Sequence, residues 1–147
     1  MKNAATALQE IIHHAIPLSE AMGFNIIELT SSNIIAEGPL QPNINIHGTG
    51  FAGSIYSLAT LSAWSLVTHV LAEQAIEAEL VIVSADIKYL APVKGAIQCQ
   101  CQLSDNKIQS FTDELEIRGC ARLEIEVSVG QLPEARLNVV LLASFSN

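Results

Sequence analysis

A glycine-rich turn that leads directly into a long uncharged segment is the part of this chain best suited to chemistry. The turn reads Asn45-Ile-His-Gly-Thr-Gly-Phe-Ala-Gly-Ser54, and no Asp, Glu, Lys or Arg lies between Glu37 and Glu73. If a helix follows the turn, its first backbone N–H groups have no partner within the helix and lie at the positive end of its dipole. Such groups stabilise negative charge that develops on a carbonyl oxygen. The small residues Ala52 and Gly53 would let a bound molecule approach closely.

The same turn also has a purely structural interpretation. Gly48, Gly50 and Gly53 let a chain bend sharply into a buried helix, whether or not anything binds there. The segment that follows, about residues 51–72, has no charged face, so a helix there cannot lie at the surface. Its serines and threonines argue against a membrane span, which needs about 20 predominantly apolar residues. We therefore predict a core helix, and both interpretations of the turn stay open.

Hydrophobic periodicity predicts the elements that surround this helix. A helical period predicts short helices over residues 4–15, ended by Pro17, and over residues 108–118. Ser110 with Asp113 resembles a capping box for the second helix, and Gly119 is a plausible stop. A period of two predicts strands over residues 24–29 and 33–40 as a hairpin, and then over 81–93, 97–103, 123–129 and 137–145.

The alternation within the third strand assigns its two faces. The odd-numbered positions from Val81 to Val93 are predicted to share the apolar face, with Ser84, Asp86 and Lys88 opposite. One-sided alternation of this kind is typical of antiparallel sheets. The chain is therefore predicted to be a single α+β domain over residues 1–147, a curved antiparallel sheet of about six strands wrapped around one long buried helix.

Composition restricts the partners. The net charge is -8 with seven Lys and Arg, so nucleic acid is not expected. Half the residues are hydrophobic and 15% are charged, which favours a homodimer or a dimer of dimers. No metal site is expected, and Cys99, Cys101 and Cys120 are predicted to be buried, reduced thiols. We see no signal peptide and expect a cytoplasmic protein with no membrane partner.

The turn and one strand end resemble motifs of a known superfamily. The segment Asn45–Ser54 is similar to the N-x-x-G-T-x-H-G-G turn of hotdog-fold acyl-CoA thioesterases, and Tyr89-Leu-Ala-Pro-Val93 is similar to their aromatic-x-x-Pro strand end. The nearest branch is a group of bacterial thioesterases with a G-T-x-F-G-G-S turn, which Gly48–Ser54 and Gly119–Arg122 resemble. The resemblance implies a hotdog fold and hydrolysis of a coenzyme A thioester, with no further cofactor.

The resemblance also implies roles for individual residues. The N–H of Ala52 or Gly53 would point at the thioester carbonyl, and Asn45 would orient the thioester or the attacking water. Many hotdog thioesterases have an acid at the position held here by Thr60, whose hydroxyl can position a water but cannot act as a general base unaided. The nearest acidic candidate is Asp86, which is otherwise a solvated strand residue.

The remaining candidates would bind substrate. His47 is either a base, a phosphate contact or a turn residue bonded to the backbone, and Lys88 and Arg122 are candidate contacts for coenzyme A phosphates. The predicted substrate-binding residues are His47, Gly48, Thr49, Phe51, Ser54, Asp86, Lys88, Tyr89 and Arg122.

Three functions fit these residues. The first is an acyl-CoA thioesterase whose site lies between two subunits. The second is a non-catalytic acyl-CoA or fatty-acyl binding module, because Thr60 replaces the usual acid. The third is a hotdog dehydratase or hydratase, which the acid-free central helix disfavours.

Overall fold

Six antiparallel strands form one sheet that wraps around a single long helix. The computed structural model describes residues 2–146, so both ends of the predicted 1–147 domain lie outside the described residues. The order across the sheet is β1-β2-β4-β5-β6-β3, and every neighbouring pair is antiparallel. The predicted α+β hotdog architecture is confirmed. The strands are β1 (Asn25–Leu29), β2 (Asn33–Gly38), β3 (Glu79–Tyr89), β4 (Ile97–Gln102), β5 (Cys120–Val129) and β6 (Ala135–Ser144).

Four α-helices accompany the sheet: α1 (Ala4–Ala15), α2 (Pro17–Ala21), α3 (Ala52–Glu73) and α4 (Asp105–Arg118). The sequence predicted α1 and α3 within one residue of their observed bounds. The sequence pattern does not predict α2, because Pro17 interrupts the helical period of α1. In the structure, Pro17 occupies the first turn of a new helix. Proline suits that position, since an N–H there would have no helical partner.

The start of α4 corrects the predicted capping box. The helix begins at Asp105, and the Ser104 hydroxyl accepts a hydrogen bond from the N–H of Lys107 at 3.1 Å. The side chain of Asp113 instead accepts a hydrogen bond from Gln109 Nε2 at 2.8 Å. Gly119 ends the helix with a left-handed φ of 78°, as predicted.

The long helix α3 packs against β2, β3, β4, β5 and β6. By length and composition alone, α3 could cross a membrane. The core helices of soluble proteins meet the same two criteria. Ser62 and Ser65 are fully buried here, and their hydroxyls donate to carbonyl oxygens one turn earlier at 2.7 and 2.6 Å. These bonds satisfy both hydroxyls within the helix, so Ser62 and Ser65 need no polar partner on the sheet.

A β-bulge in β3 overturns the predicted face of this strand. The register with β6 shifts at Val83, which is the extra residue between Ile82 and Ser84. A bulge exchanges the two faces of a strand beyond it. Val81 and Val83 are consequently 53% and 42% exposed, while Ala85 and Ile87 pack against the core. The prediction that these residues share one face is therefore wrong.

The three cysteines do not share one environment. Cys99 and Cys101 are buried on the apolar face of β4, as predicted. Burial raises the pKa of the Cys99 thiol to about 12 and raises that of Cys101 further, so both are protonated thiols at neutral pH. Cys120 is exposed at the first position of β5, which corrects the prediction that it is buried.

Candidate active site

The side chain of Asn45 organises the glycine-rich loop from within. Its Oδ1 accepts hydrogen bonds from the N–H groups of His47 and Thr49 at 2.9 and 3.0 Å. Its Nδ2 donates to Thr49 Oγ1 at 2.9 Å and to the carbonyl oxygen of Gly50 at 3.2 Å. An asparagine amide has two donor hydrogens and two acceptor lone pairs, and all four are used here. Asn45 therefore shapes the loop, and its amide has no free group to offer a ligand.

The far end of the loop is fixed to the segment between β3 and β4 and to the N-terminal region. The N–H of Gly50 donates to the carbonyl oxygen of Val93 at 2.8 Å, and the N–H of Phe51 donates to that of Asn43 at 2.7 Å. The buried Asn43 side chain in turn donates to the carbonyl oxygen of Met22 at 2.8 Å. These bonds hold the first residue of α3 in a defined place beside the end of β3.

The N-terminus of α3 has no side-chain cap. Phe51 stands at the N-cap position and makes no side-chain bond to the helix, whereas α1 and α4 are both capped by side chains. Within the described part of the chain, the N–H groups of Ala52, Gly53 and Ser54 have no hydrogen-bond partner. They are the donors that the turn was predicted to supply, at the positive end of a 22-residue helix.

The missing side chain of Gly53 makes room for another part of the loop. A Cβ at this position would lie 2.6 Å from Cε2 of Phe51, so the absence of a side chain makes room for the aromatic ring. The sequence had assigned the space at both Ala52 and Gly53 to a bound molecule. Of the two residues, Ala52 lines the cleft described next.

An open cleft of about 370 Å³ lies between the loop, the start of α3 and the segment after β3. On one wall, the Tyr89 hydroxyl donates to the carbonyl oxygen of Ala52 at 2.8 Å and joins β3 to the helix. Burial, reinforced by Tyr56, raises the pKa of Tyr89, so its hydroxyl is a neutral donor at physiological pH. No Asp, Glu or His is among the described residues that line the cleft. The lining is Asn45, Thr49, Gly50, Ala52, Ile55, Tyr89, Leu90, Ala91, Pro92 and Val93.

Thr60 lies outside this cleft. It lines a separate apolar groove of about 310 Å³ further along α3, and its hydroxyl donates to the carbonyl oxygen of Tyr56 at 2.7 Å. Tyr56, which also lines the groove, directly follows Ile55, which lines the cleft, so the cleft and the groove both border the second turn of α3. The groove is lined by Ile16, Leu18, Met22, Tyr56, Ser57, Thr60, Leu61, Trp64 and Ile82.

The predicted charged contacts lie on the outer face of the sheet. Asp86 and Lys88 are exposed on β3, opposite the side that packs against α3, and Arg122 is exposed on β5. Lys88 lies directly opposite Arg136 in the register of β3 and β6, near the end of β3 that borders the cleft. Arg122 is level with Val81, about 20 Å from the level of Lys88 along the strand direction at roughly 3.3 Å per residue. One chain therefore does not bring Lys88 and Arg122 together.

The other predicted loop residues surround the cleft without lining it. His47 and Gly48 are exposed at the tip of the loop, where Gly48 has a φ of 79°. Phe51 is 53% exposed with its ring against Gly53, and Ser54 is partly buried in the first turn of α3.

Several cleft residues were missed by the sequence. The resemblance at Tyr89–Val93 identified this segment as a strand end. It did not predict that Leu90 to Val93 form one wall of the cleft. Nothing in the sequence pointed to Arg136, because its position beside Lys88 depends on the register between β3 and β6.

Residues 5–137 match a family model described as "Putative thioesterase (yiiD_Cterm)". This chain belongs to that thioesterase family. It is 30% identical to a protein of Shewanella oneidensis described as a putative thioesterase, over 97% of both chains, with a TM-score of 0.82. It is 27% identical to a protein of unknown function from Chlorobaculum tepidum, over 97% of this chain and 94% of that one, with a TM-score of 0.92.

A protein of Pseudomonas aeruginosa described as a probable thioesterase shares the fold, with a TM-score of 0.85 at 18% identity over 98% of this chain and 97% of that one. Membership of the thioesterase family supports thioester hydrolysis as the general reaction. Such a reaction requires donors for the negative charge that develops on a carbonyl oxygen, and the N–H groups at the start of α3 have no partner among the described residues.

Removing the Asn45 side chain tests its role in the loop. We expect Asn45→Ala to lower the free energy of unfolding by about 1–2 kcal/mol, because four hydrogen bonds are lost at an incompletely buried site. Thioester hydrolysis should fall about 10-fold to 1000-fold as the donors at the helix N-terminus lose their fixed position. Chemical denaturation and steady-state kinetics measure the two effects. Asn45→Asp, which keeps both accepting bonds, should be less destabilised, and equal stability of all three proteins would contradict the assignment.

Proposed function

We propose that this protein hydrolyses acyl-CoA thioesters whose carbonyl oxygen binds at the N-terminus of α3. The observation that supports this is the set of uncapped N–H groups at Ala52–Ser54 beside an open cleft. Water adds to the carbonyl carbon, and the negative charge that develops on the oxygen is stabilised by these donors. The carbon–sulfur bond then breaks, the coenzyme A thiolate takes up a proton, and the acyl group leaves as a carboxylic acid.

The acyl chain would occupy the apolar groove along α3. The groove residue nearest the N-terminus of α3 is Tyr56, which follows Ile55 of the cleft in sequence, and no charged residue lines the groove among those described. An apolar chain is the natural occupant of such a surface, since burying it removes hydrocarbon from water. The carbonyl would then lie at the helix N-terminus with the acyl chain running along the helix.

The coenzyme A phosphates would lie near Lys88 and Arg136. These two cations are directly opposite each other on β3 and β6, an arrangement that is unfavourable without a counter-charge. Neither forms an ion pair within the described part of the chain. Lys94 is also exposed and follows directly after the Val93 wall of the cleft. An anionic ligand would relieve this repulsion.

We also propose that the protein is a homodimer or a dimer of dimers, with the site between subunits. Strand β3 is the last strand of the sheet, so one of its edges has no partner, and Val81 and Val83 are exposed on it. Near the cleft, Ile46 is 93% exposed at the loop tip. A second copy paired along β3 would cover apolar surface and supply the polar group for water activation that one cleft lacks.

We place the protein in the cytoplasm. The buried thiols of Cys99 and Cys101 and the exposed thiol of Cys120 are all free, and free thiols suit a reducing compartment.

A proline at position 52 tests the oxyanion donors directly. Ala52→Pro removes one N–H from the first position of α3, where proline is well accepted, and the extended Phe51 backbone (φ -69°, ψ 131°) suits a following proline. We expect kcat to fall about 100-fold to 1000-fold with the fold intact. Ala52→Ser retains the N–H and is the matched control. Full activity in a folded Ala52→Pro variant would exclude this N–H from the site.

Charge reversal at the basic pair tests the coenzyme A contact. The double variant Lys88→Glu, Arg136→Glu should raise KM for an acyl-CoA about 10-fold or more, since two attractive phosphate contacts become repulsive. The KM for the matching N-acetylcysteamine thioester, which has no phosphate, should not change. Arg122→Glu is the comparison at the other end of the sheet. A larger rise in KM from Arg122→Glu would contradict this assignment and place the phosphate contact at Arg122.

Lysines on the free edge test the dimer. Val81→Lys combined with Val83→Lys should yield a folded monomer with strongly reduced hydrolysis, because both side chains are exposed in one chain and would be buried between two. Light scattering gives the mass and circular dichroism the fold. Ile117→Lys, at an equally apolar position that is 83% exposed on α4, should leave the mass unchanged. A wild-type protein that is monomeric at micromolar concentration would refute the proposal.

A second candidate is a binding module that does not hydrolyse its ligand. It is favoured by one observation: the Thr60 hydroxyl is committed to a helix carbonyl, and no acidic side chain lines the cleft among the described residues. Calorimetry with acyl-CoAs, run beside an assay for released thiol, separates the two candidates. Tight binding without thiol release by the intact oligomer would favour the module.

A further inference from the structure

The indole of Trp64 bridges the core helix and the edge strand. Trp64 lies 12 residues after Ala52 on α3, about 18 Å along the helix axis at 1.5 Å per residue. Its Nε1–H donates to the carbonyl oxygen of Leu80 on β3 at 3.0 Å. The bond fixes the ring across the gap between the two elements, because rotating the side chain away would leave both polar groups unpaired.

A cavity lies on each side of this ring. The apolar groove proposed for the acyl chain reaches Trp64 from the side of Ile82. On the side of Leu80 lies a larger, open cavity of about 640 Å³, whose lining includes Leu71 and Ile76 and also Glu77 and Glu79. Among the described residues that line these two cavities, Trp64 is the one common to both. Trp64 therefore lies at the boundary between them, and its indole is called the partition below.

We infer that Trp64 sets the longest acyl chain that the protein accepts, by closing the groove at the end remote from the thioester. This inference rests on the proposed function, since it requires an acyl chain in the groove. A chain that grows from the helix N-terminus meets the ring, and further methylenes find no apolar space while the partition stands. Without the ring, the groove would open into the larger cavity.

The large cavity provides a matched control. Thr68 lies one turn after Trp64 on the same helix and lines the large cavity but not the groove. Its Oγ1 is buried and has no hydrogen-bond partner among the described residues. Thr68→Leu therefore adds bulk beyond the partition and removes an unpaired hydroxyl. In the wild-type background it should leave the choice of acyl chain unchanged.

The experiment compares saturated acyl-CoAs from butyryl-CoA to palmitoyl-CoA with the intact wild-type oligomer and its variants. For Trp64→Leu we expect the ratio of kcat/KM for palmitoyl-CoA to that for octanoyl-CoA to rise about 10-fold or more, because each newly buried methylene contributes roughly fourfold. Trp64→Phe, which keeps a ring but loses the bond to Leu80, should show a smaller rise. Adding Thr68→Leu to Trp64→Leu should reverse most of the change. Circular dichroism and thermal unfolding verify that each variant is folded.

Fatty-acid binding separates this inference from the proposed function. Calorimetry with free fatty acids of the same lengths should show the same shift of the Trp64 variants toward longer chains in binding affinity, whether or not the protein releases thiol. An unchanged profile in folded Trp64→Leu and Trp64→Phe, by both assays, would overturn the role of Trp64 and leave the hydrolase proposal standing. If wild type releases no thiol but the binding profile shifts, the partition stands and the hydrolase proposal fails. A wild type that neither hydrolyses nor binds acyl ligands overturns both.

Discussion

The structure depends on enclosing one helix that has no charged face. A helix enclosed by a sheet is shielded from water, so an unpaired polar group on it is costly. The hydroxyls of Ser62 and Ser65 avoid this cost within the helix itself, by donating to carbonyls one turn back. The sheet can then remain apolar on the inner face that packs against the helix.

The same constraint explains where the candidate site lies. Inside the sheet, the helix backbone is satisfied by its own hydrogen bonds, but the first turn has unpaired N–H groups wherever it stands. Here that turn lies at the end of β3, beside a loop that Asn45 holds closed with its own amide. The loop thus positions the helix N-terminus without placing a side chain over it, and the donors of Ala52 to Ser54 stay accessible to a carbonyl oxygen.

Much of the fold could be predicted from the sequence, because periodicity reports directly on burial. The uncharged segment identified α3, and alternation identified all six strands. The bulge at Val83 could not be predicted, since the run from Val81 to Ala85 is apolar or small on both faces and its phase is set by pairing with β6. The start of α4 was misplaced because the helical spacing of apolar residues begins only at Ile108, whereas the helix begins at Asp105 with Ser104 as its N-cap.

The site was harder to predict than the fold because the partner of a side chain depends on loop conformation and on residues far away in the sequence. The turn was identified from its glycines, but whether the Asn45 amide faces a ligand or its own loop depends on the conformation that the loop adopts. Thr60 was placed near the reacting carbonyl by resemblance alone, whereas its hydroxyl bonds to Tyr56 in a different groove. Arg136 became a candidate only once the register of β3 and β6 placed it beside Lys88.

The order of the elements along the chain has a consequence for how the protein is made. Helix α3 precedes β3, β4, β5 and β6, so four of the strands in its sheet are synthesised after it. The final strand also lies between β5 and β3, and the sheet cannot close until β6 leaves the ribosome. At about 5–20 residues per second, the apolar helix waits several seconds without its cover. We therefore expect the nascent chain to expose a strongly hydrophobic segment to chaperones, and to fold late and cooperatively once its last strand is available.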